Sequence, residues 1–127
     1  ILYPDDVFWR PFLAATGPVI AFDDEATFTT AASFGAFSGA SFGLMSHIIA
    51  WFEDQGLPAD TARMLVAATL RGNAEVLLRE NRSLPEIARE VITPGGISEL
   101  LVATLAERDA FSAWDEALTR VRRRIGG

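Results

Sequence analysis

The chain contains no cysteine and a single histidine in its 127 residues. Without thiols it has no disulfide framework, no cysteine nucleophile and no thiolate metal site. A histidine-dependent triad could use only His47, and no G-x-S-x-G elbow accompanies it. His47 is followed by Ile48 and Ile49, a setting that suits a core residue better than a ligand, so no metal is expected. Positive charge is also scarce. The net charge of −6 excludes the electrostatic footprint of a nucleic-acid or anionic-lipid binder. The basic run at residues 120–124 reads either as the solvated last turn of a helix or as a polyanion site, and the first fits a chain end better. The first residue is Ile and no signal-peptide pattern follows, so a fragment or processed chain in the cytoplasm is expected.

What is present is apolar. Half of the residues are hydrophobic and 22% are charged, which suits one domain with a core and excludes a disordered chain. Leu2-Tyr3-Pro4 reads as a short extended piece, and Asp5 and Asp6 start a helix carrying Val7, Phe8 and Phe12. Gly17-Pro18 stops it, and Val19-Ile20-Ala21-Phe22, bounded by Pro18 and acids, predicts one short strand.

Residues 26–52 carry no charge with His47 neutral. That length raises the question of a membrane span, but acids flank it on both sides and seven hydroxyl residues interrupt it. Gly35, Gly39 and Gly43 fall four apart, on one face of a helix, at a cost of ~2–3 kcal/mol in propensity relative to alanine. The expected compensation is another backbone packed against that face. In the alternative reading residues 33–38 are a loop and the helix begins later.

Gly56 and Pro58 mark a break. Residues 59–80 then form a helix that is apolar nearly all round, through Met64, Leu65, Val66, Leu70, Val76, Leu77 and Leu78. Ser83 with Glu86 is a capping box enclosing Pro85. A short helix carrying Ile87 and Val91 reaches Thr93-Pro94-Gly95-Gly96. Two further apolar stripes follow, one through Ile97, Leu100, Leu101, Thr104 and Leu105, the other through Phe111, Trp114, Leu118, Val121 and Ile125. Several helices are too apolar for one small monomer, so an interlocked homodimer is expected.

The Thr-Pro-Gly-Gly corner has two readings. It is a plain helix–turn–helix corner, or it is an anion site. In the second reading Thr93 caps the next helix, Pro94 takes its first position, and Gly95 and Gly96 leave bare amides at its positive end, with the Ser98 hydroxyl beside them.

The segment 91–111, VITPGGISELLVATLAERDAF, resembles the V-(T/S)-S-P-G-G-(T/A)-T segment and following helix of pyrroline-5-carboxylate reductases. The resemblance runs back through GLPADTARMLVAATLRGNAEVLL to VIAFDDEATFTTAASFGAFSGA, set against that family's strand, acidic pair and S-G-S-G-P-A motif. It implies a mainly α fold, a helical dimerisation domain of the 6-phosphogluconate-dehydrogenase C-terminal type, preceded by a strand–helix–strand remnant of a Rossmann domain. Residues 1–23 would end a dinucleotide-binding domain, and residues 24–127 would form the helical dimerisation and substrate-binding domain. The implied activity is NADP- or NAD-dependent reduction of a C=N or C=O bond in a small carboxylate substrate. The cofactor site would lie upstream of Ile1, because no G-x-G-x-x-G occurs here and this chain alone would be inactive. By position, Thr93, Gly95 and Gly96 would cradle the substrate carboxylate. Ser98 would replace a threonine whose hydroxyl meets the ring nitrogen, the catalytic place in this chain. Phe34, Ala36, Phe37 and Ser38 depart from S-G-S-G-P-A, and Glu99 stands where an apolar residue is usual. These departures point to a bulkier or less polar substrate than the family's own. The alternative is a non-catalytic helical dimer that serves as an interaction module.

Overall fold

The structure is a computed structural model that describes residues 1–127. It is helical with almost no strand. In chain order the helices are α1 (Trp9–Ala14), α2 (Glu25–Ala32), a 3-10 turn (Ser33–Ala36), α3 (Phe37–Asp54), α4 (Ala59–Arg79), α5 (Leu84–Val91), α6 (Ile97–Glu107) and α7 (Ser112–Ile125). The chain divides into two compact units. One holds Ile1–Gly39 with Ser112–Gly127, and the other holds Ala40–Phe111.

In the first unit the predicted strand at residues 19–22 shrinks to one residue. Ala21 forms an isolated parallel bridge with Leu2, through Leu2 N–H to the Ile20 carbonyl at 2.8 Å and Phe22 N–H to the Leu2 carbonyl at 3.0 Å. The order extended piece, helix, extended piece is present. A parallel pair without further strands on either side has nothing to lengthen it. Asp6 opens α1 by accepting from the Phe8 and Trp9 amides at 2.9 Å each. Asp24 caps α2 through the Thr27 amide at 2.8 Å. The Thr27 side chain first, and then this amide bond, hold the Asp24 carboxyl below the usual carboxylate range.

The uncharged run is not one long helix. It is α2, a 3-10 turn and α3 in succession, so Gly35 lies in the turn while Gly39 and Gly43 lie on α3. Apart from the glycine's chain neighbours and its own helix backbone, no atom lies within 4 Å of where a Cβ would stand on any of the three. The expected backbone neighbour is therefore not supplied by this chain. α2 and the 3-10 turn pack against α7 instead. Arg122 Nε donates to Thr30 Oγ1 at 3.0 Å, and Phe37 lies 5.9 Å from Trp114 between ring centres. Arg122, Arg123 and Arg124 fall in the last turn of α7, where the helix dipole favours cations.

The second unit is a run of helices joined by tight corners. Gly56, at φ +95°, ends α3: Leu57 N–H bonds the Phe52 carbonyl at 3.0 Å and Gly56 N–H the Glu53 carbonyl at 2.9 Å. This is the Schellman pattern. Pro58 stands one place before α4. Of α4 only Ala62 and Val66 are buried, while Met64, Leu65, Leu77 and Leu78 are exposed. Phe42 and Trp51 on α3 and Ile97, Leu100 and Leu101 on α6 are exposed as well. His47 too is exposed on α3, so the core placement its neighbours suggested does not occur within the chain. No helix is long and apolar enough to cross a membrane. The unit instead presents apolar surface of the kind that in water covers itself with another protein surface.

Candidate functional site

The candidate site is the corner between α5 and α6, and the chain reaches it from a well-anchored helix. Ser83 N–H and Ser83 Oγ both bond Glu86 Oε2, at 2.9 and 2.7 Å, at the start of α5. Those bonds hold the Glu86 carboxyl below its usual range. Arg82 pairs with Glu80 and with Glu90, tying the approach to α5 to its last turn. The guanidinium beside it likewise lowers the Glu90 carboxyl, first by hydrogen bonding and then by charge.

Residues 93–96 then make a tight turn. Gly96 N–H bonds the Thr93 carbonyl at 2.9 Å, and Gly95 lies at φ +74°. Proline second and a left-handed glycine third are the residues a type II turn requires. Thr93 is therefore the first residue of the turn and not the cap of α6, and Pro94 is not in the helix. The cap is Gly96, extended at φ −89° and ψ 171°, and α6 begins at Ile97. The expected helix start moves three residues along because the turn bond uses the Thr93 carbonyl.

Each glycine has its own reason. Gly95 supplies the positive φ. A Cβ on Gly96 would stand 2.9 Å from the Thr93 carbonyl oxygen and 3.4 Å from Thr93 Cβ. The first helical bond runs from Leu100 N–H to the Gly96 carbonyl at 3.1 Å. The amides of Ile97, Ser98 and Glu99 thus open α6 without an acceptor inside the helix. Ser98 is exposed on this first turn.

Thr93, Gly95, Gly96 and Ser98 are brought together within one corner. Glu99 joins them. Its Oε2 accepts from the Gly95 amide at 2.7 Å, so the carboxylate turns inward onto the turn. With the cap at Gly96, Glu99 stands three residues past it, the same spacing as in the Ser83–Glu86 box, but that spacing is apparent only once the structure has placed the cap. The other segment singled out in the sequence, 34–39, lies in the first unit. There Phe34 stacks on Phe37 at 5.0 Å between ring centres, and both rings are exposed.

The chain as a whole has relatives. A family model for the pyrroline-5-carboxylate reductase dimerisation domain matches residues 25–126. Among solved structures, a Plasmodium falciparum pyrroline carboxylate reductase with NADP bound superimposes with a TM-score of 0.87 at 15% identity. A Coxiella burnetii pyrroline-5-carboxylate reductase superimposes with a TM-score of 0.83 at 24% identity. In both cases the match covers 98% of this chain and 48% of the relative, so the chain spans about half the length of these proteins. No curated protein matches it by sequence. With the family model spanning everything from the start of α2 to the end of α7, the chain belongs to the pyrroline-5-carboxylate reductase family, within its dimerisation-domain part.

Proposed function

We propose that this chain is the helical dimerisation and substrate-side part of an NADP- or NAD-dependent oxidoreductase that reduces a C=N or C=O bond of a small carboxylate substrate. The observation that carries this reading is the family match across residues 25–126. In this reading residues 1–23 are the end of a dinucleotide-binding domain and residues 24–127 the helical domain. The parallel Leu2–Ala21 bridge with α1 between its partners supports the first part. The residues present here do not themselves fit a dinucleotide: no glycine-rich phosphate loop occurs, and the Gly95-Gly96 corner carries the Glu99 carboxylate. Cofactor binding is accordingly assigned to a preceding domain of a cytoplasmic parent enzyme.

The chain's own contribution is to bind and orient. Beside Thr93 and the side-chain-free Gly95 and Gly96, the amides of Ile97, Ser98 and Glu99 at the start of α6 receive the substrate carboxylate at the positive end of the helix; the Gly96 amide is held by the Thr93 carbonyl and the Gly95 amide by Glu99. The Ser98 hydroxyl meets the nitrogen or oxygen of the bond to be reduced and fixes its orientation, the catalytic role in this chain. The test is reduction of cyclic imino acids by the full-length protein with NADPH or NADH. Ser98→Ala should cost about 0.5–1.5 kcal/mol in kcat/KM against a neutral partner, or about 1.5–3 kcal/mol against a charged one. Unchanged kcat/KM removes Ser98 from the site.

The assembly in this reading is a homodimer that covers the exposed apolar surfaces of α3, α4 and α6. Because nothing in the chain lies near a Cβ at Gly39, Gly39→Leu should leave the protomer folded and show its effect only in association. Overpacking a helix contact costs about 1–3 kcal/mol, which sedimentation would read as a weaker dimer. An unaltered dimer would place the interface elsewhere. A second reading, a helical interaction module without catalysis, is favoured by one observation: Glu99 already sits on the Gly95 amide. No turnover by the full-length protein with any cyclic imine or keto acid would select it.

A further inference from the structure

The basic end of α7 is more ordered than a solvated last turn requires. α7 packs on α2, and its last turn arrives beside the start of that helix. Arg122 Nε donates to Thr30 Oγ1 at 3.0 Å, and Thr30 Oγ1 donates in turn to the Ala26 carbonyl at 2.9 Å. The guanidinium is thus tied to the α2 backbone through one nitrogen, and its two terminal nitrogens keep their donors free. Gly126 N–H bonds the Arg122 carbonyl at 3.0 Å, with Gly126 lying against Thr29. Between the two helices lies an open cavity of about 920 Å³, whose walls include Glu25, Ala26, Thr29, Arg122, Arg123 and Ile125. Small-ligand sites fall in the range of about 300–1,000 Å³.

The charges on those walls are of both signs and unpaired. Asp24 does the capping of α2, which leaves the Glu25 carboxylate unengaged. None of the chain's ion pairs includes Glu25, Arg122 or Arg123. A pure anion would be drawn to the arginines and repelled by Glu25, and a pure cation the reverse. A ligand carrying both charges satisfies both walls, and its second contact forms within a molecule already held by the first. We propose that this cavity binds a free α-amino acid, with its carboxylate on the Arg122 and Arg123 guanidiniums and its ammonium on Glu25. The free end of the Arg122 guanidinium suits a carboxylate, because it presents two donors side by side. Ala26, the Thr29 methyl and Ile125 give the amino acid's side chain an apolar wall, which favours an aliphatic one. The site shares no residue with the 93–96 corner or Ser98, and stands whether or not that corner takes a carboxylate.

The experiment titrates the protein with L-leucine and with its two single-charge analogues, 4-methylpentanoate and 3-methylbutylamine. The Arg122 Nε–H signal and the Thr29 and Thr30 amides are followed by NMR. It is run on the unaltered chain, Glu25→Gln and Arg123→Gln, with circular dichroism confirming that each is folded. Neither of those side chains makes a hydrogen bond that holds α7 to α2. Leucine should shift these signals and bind about two- to fivefold more tightly than either analogue, the worth of one exposed ion pair. Added salt should weaken it. Glu25→Gln should lower the affinity for leucine by about that factor without lowering that for 4-methylpentanoate. Arg123→Gln should lower both. Leucine binding no tighter than its analogues, or unaltered by both substitutions, overturns the proposal. Tighter binding of 4-methylpentanoate than of leucine makes the cavity a plain anion site and overturns the amino-acid assignment, and no response of any of the three signals removes the site.

Discussion

The two corners of the second unit start α5 and α6 with the same arithmetic and end differently. Each has a small residue at the cap and a glutamate three places on, Ser83 with Glu86 and Gly96 with Glu99. At α5 the glutamate closes on the cap residue itself, taking its amide and its hydroxyl. At α6 it reaches one residue further back, to the Gly95 amide. The cap there has no side chain to offer, and a left-handed glycine turns its N–H toward the helix. The first corner uses its polar groups to hold a helix in place. The second has glycine backbone, three amides without an acceptor inside the helix and a neighbouring hydroxyl, with one carboxylate on the Gly95 amide. The first start fills its donors with side chains, whereas the second leaves its backbone bare.

The strongest way to break the contrast is Gly96→Val. The new Cβ would meet the Thr93 carbonyl oxygen at 2.9 Å, a backbone atom that cannot rotate aside, so the turn has to shift. A loss of about 1–3 kcal/mol in unfolding free energy is expected from that overpacking, together with loss of any carboxylate response at the corner. Thermal melts and a titration with a small carboxylate, followed by the backbone amide signals in NMR, read the two effects separately, and an unchanged melt would mean the turn is softer than its geometry implies.

Gly95→Ala comes next. At φ +74° an L-residue pays roughly 1–2 kcal/mol for the left-handed region, so a loss of about that size is expected by denaturant titration. Comparable stability would show that the turn had changed type.

Ser83→Ala tests the other corner. Removing a cap of this kind typically costs about 1 kcal/mol, and here it should lower stability without touching ligand response. A change in carboxylate binding at α6 on this substitution would show that α5 couples the two corners.

The smallest effect is with pH. The Glu86 carboxyl is lowered by its bonds to Ser83, and that of Glu90 by Arg82. A lowered folded value means the stabilisation is complete above the ordinary carboxylate pKa and is lost as the pH falls through the lowered one. Fraying of α5 should therefore begin below about pH 4. Exchange of the α5 amides with solvent checks it, and acid-insensitive protection would show that both groups titrate alike in the folded and unfolded chain.

The punctuation of this fold was legible in the sequence because it is local chemistry. Gly56 ends α3 in a left-handed conformation that any chain with that spacing would adopt. Ser83 and Glu86 find each other across one turn with no help from elsewhere. The Thr-Pro-Gly-Gly corner was visible too, but its cap was not, since Pro-Gly can open a helix or fill a turn. Which of the two occurs depends on whether the Thr93 carbonyl is used by the Gly96 amide. The direction of Glu99 was hidden for a related reason. Charge alone argues that an acid keeps clear of an anion site, and only the orientation of the Gly95 N–H makes it a partner.

Residue types and spacings by themselves determined that the chain is helical, where its helices break, and which four residues gather at the corner, because those follow from contacts within a turn or two. The tertiary structure alone decided what depends on partners distant in sequence. The segment 19–22 became a single bridge because a strand is only as long as the strands beside it. Phe37 went to Trp114 and Thr30 to Arg122 because α7 folds back on α2. The face bearing Gly39 and Gly43 stayed open because the rest of the chain places nothing against it, and no periodicity states what will pack there.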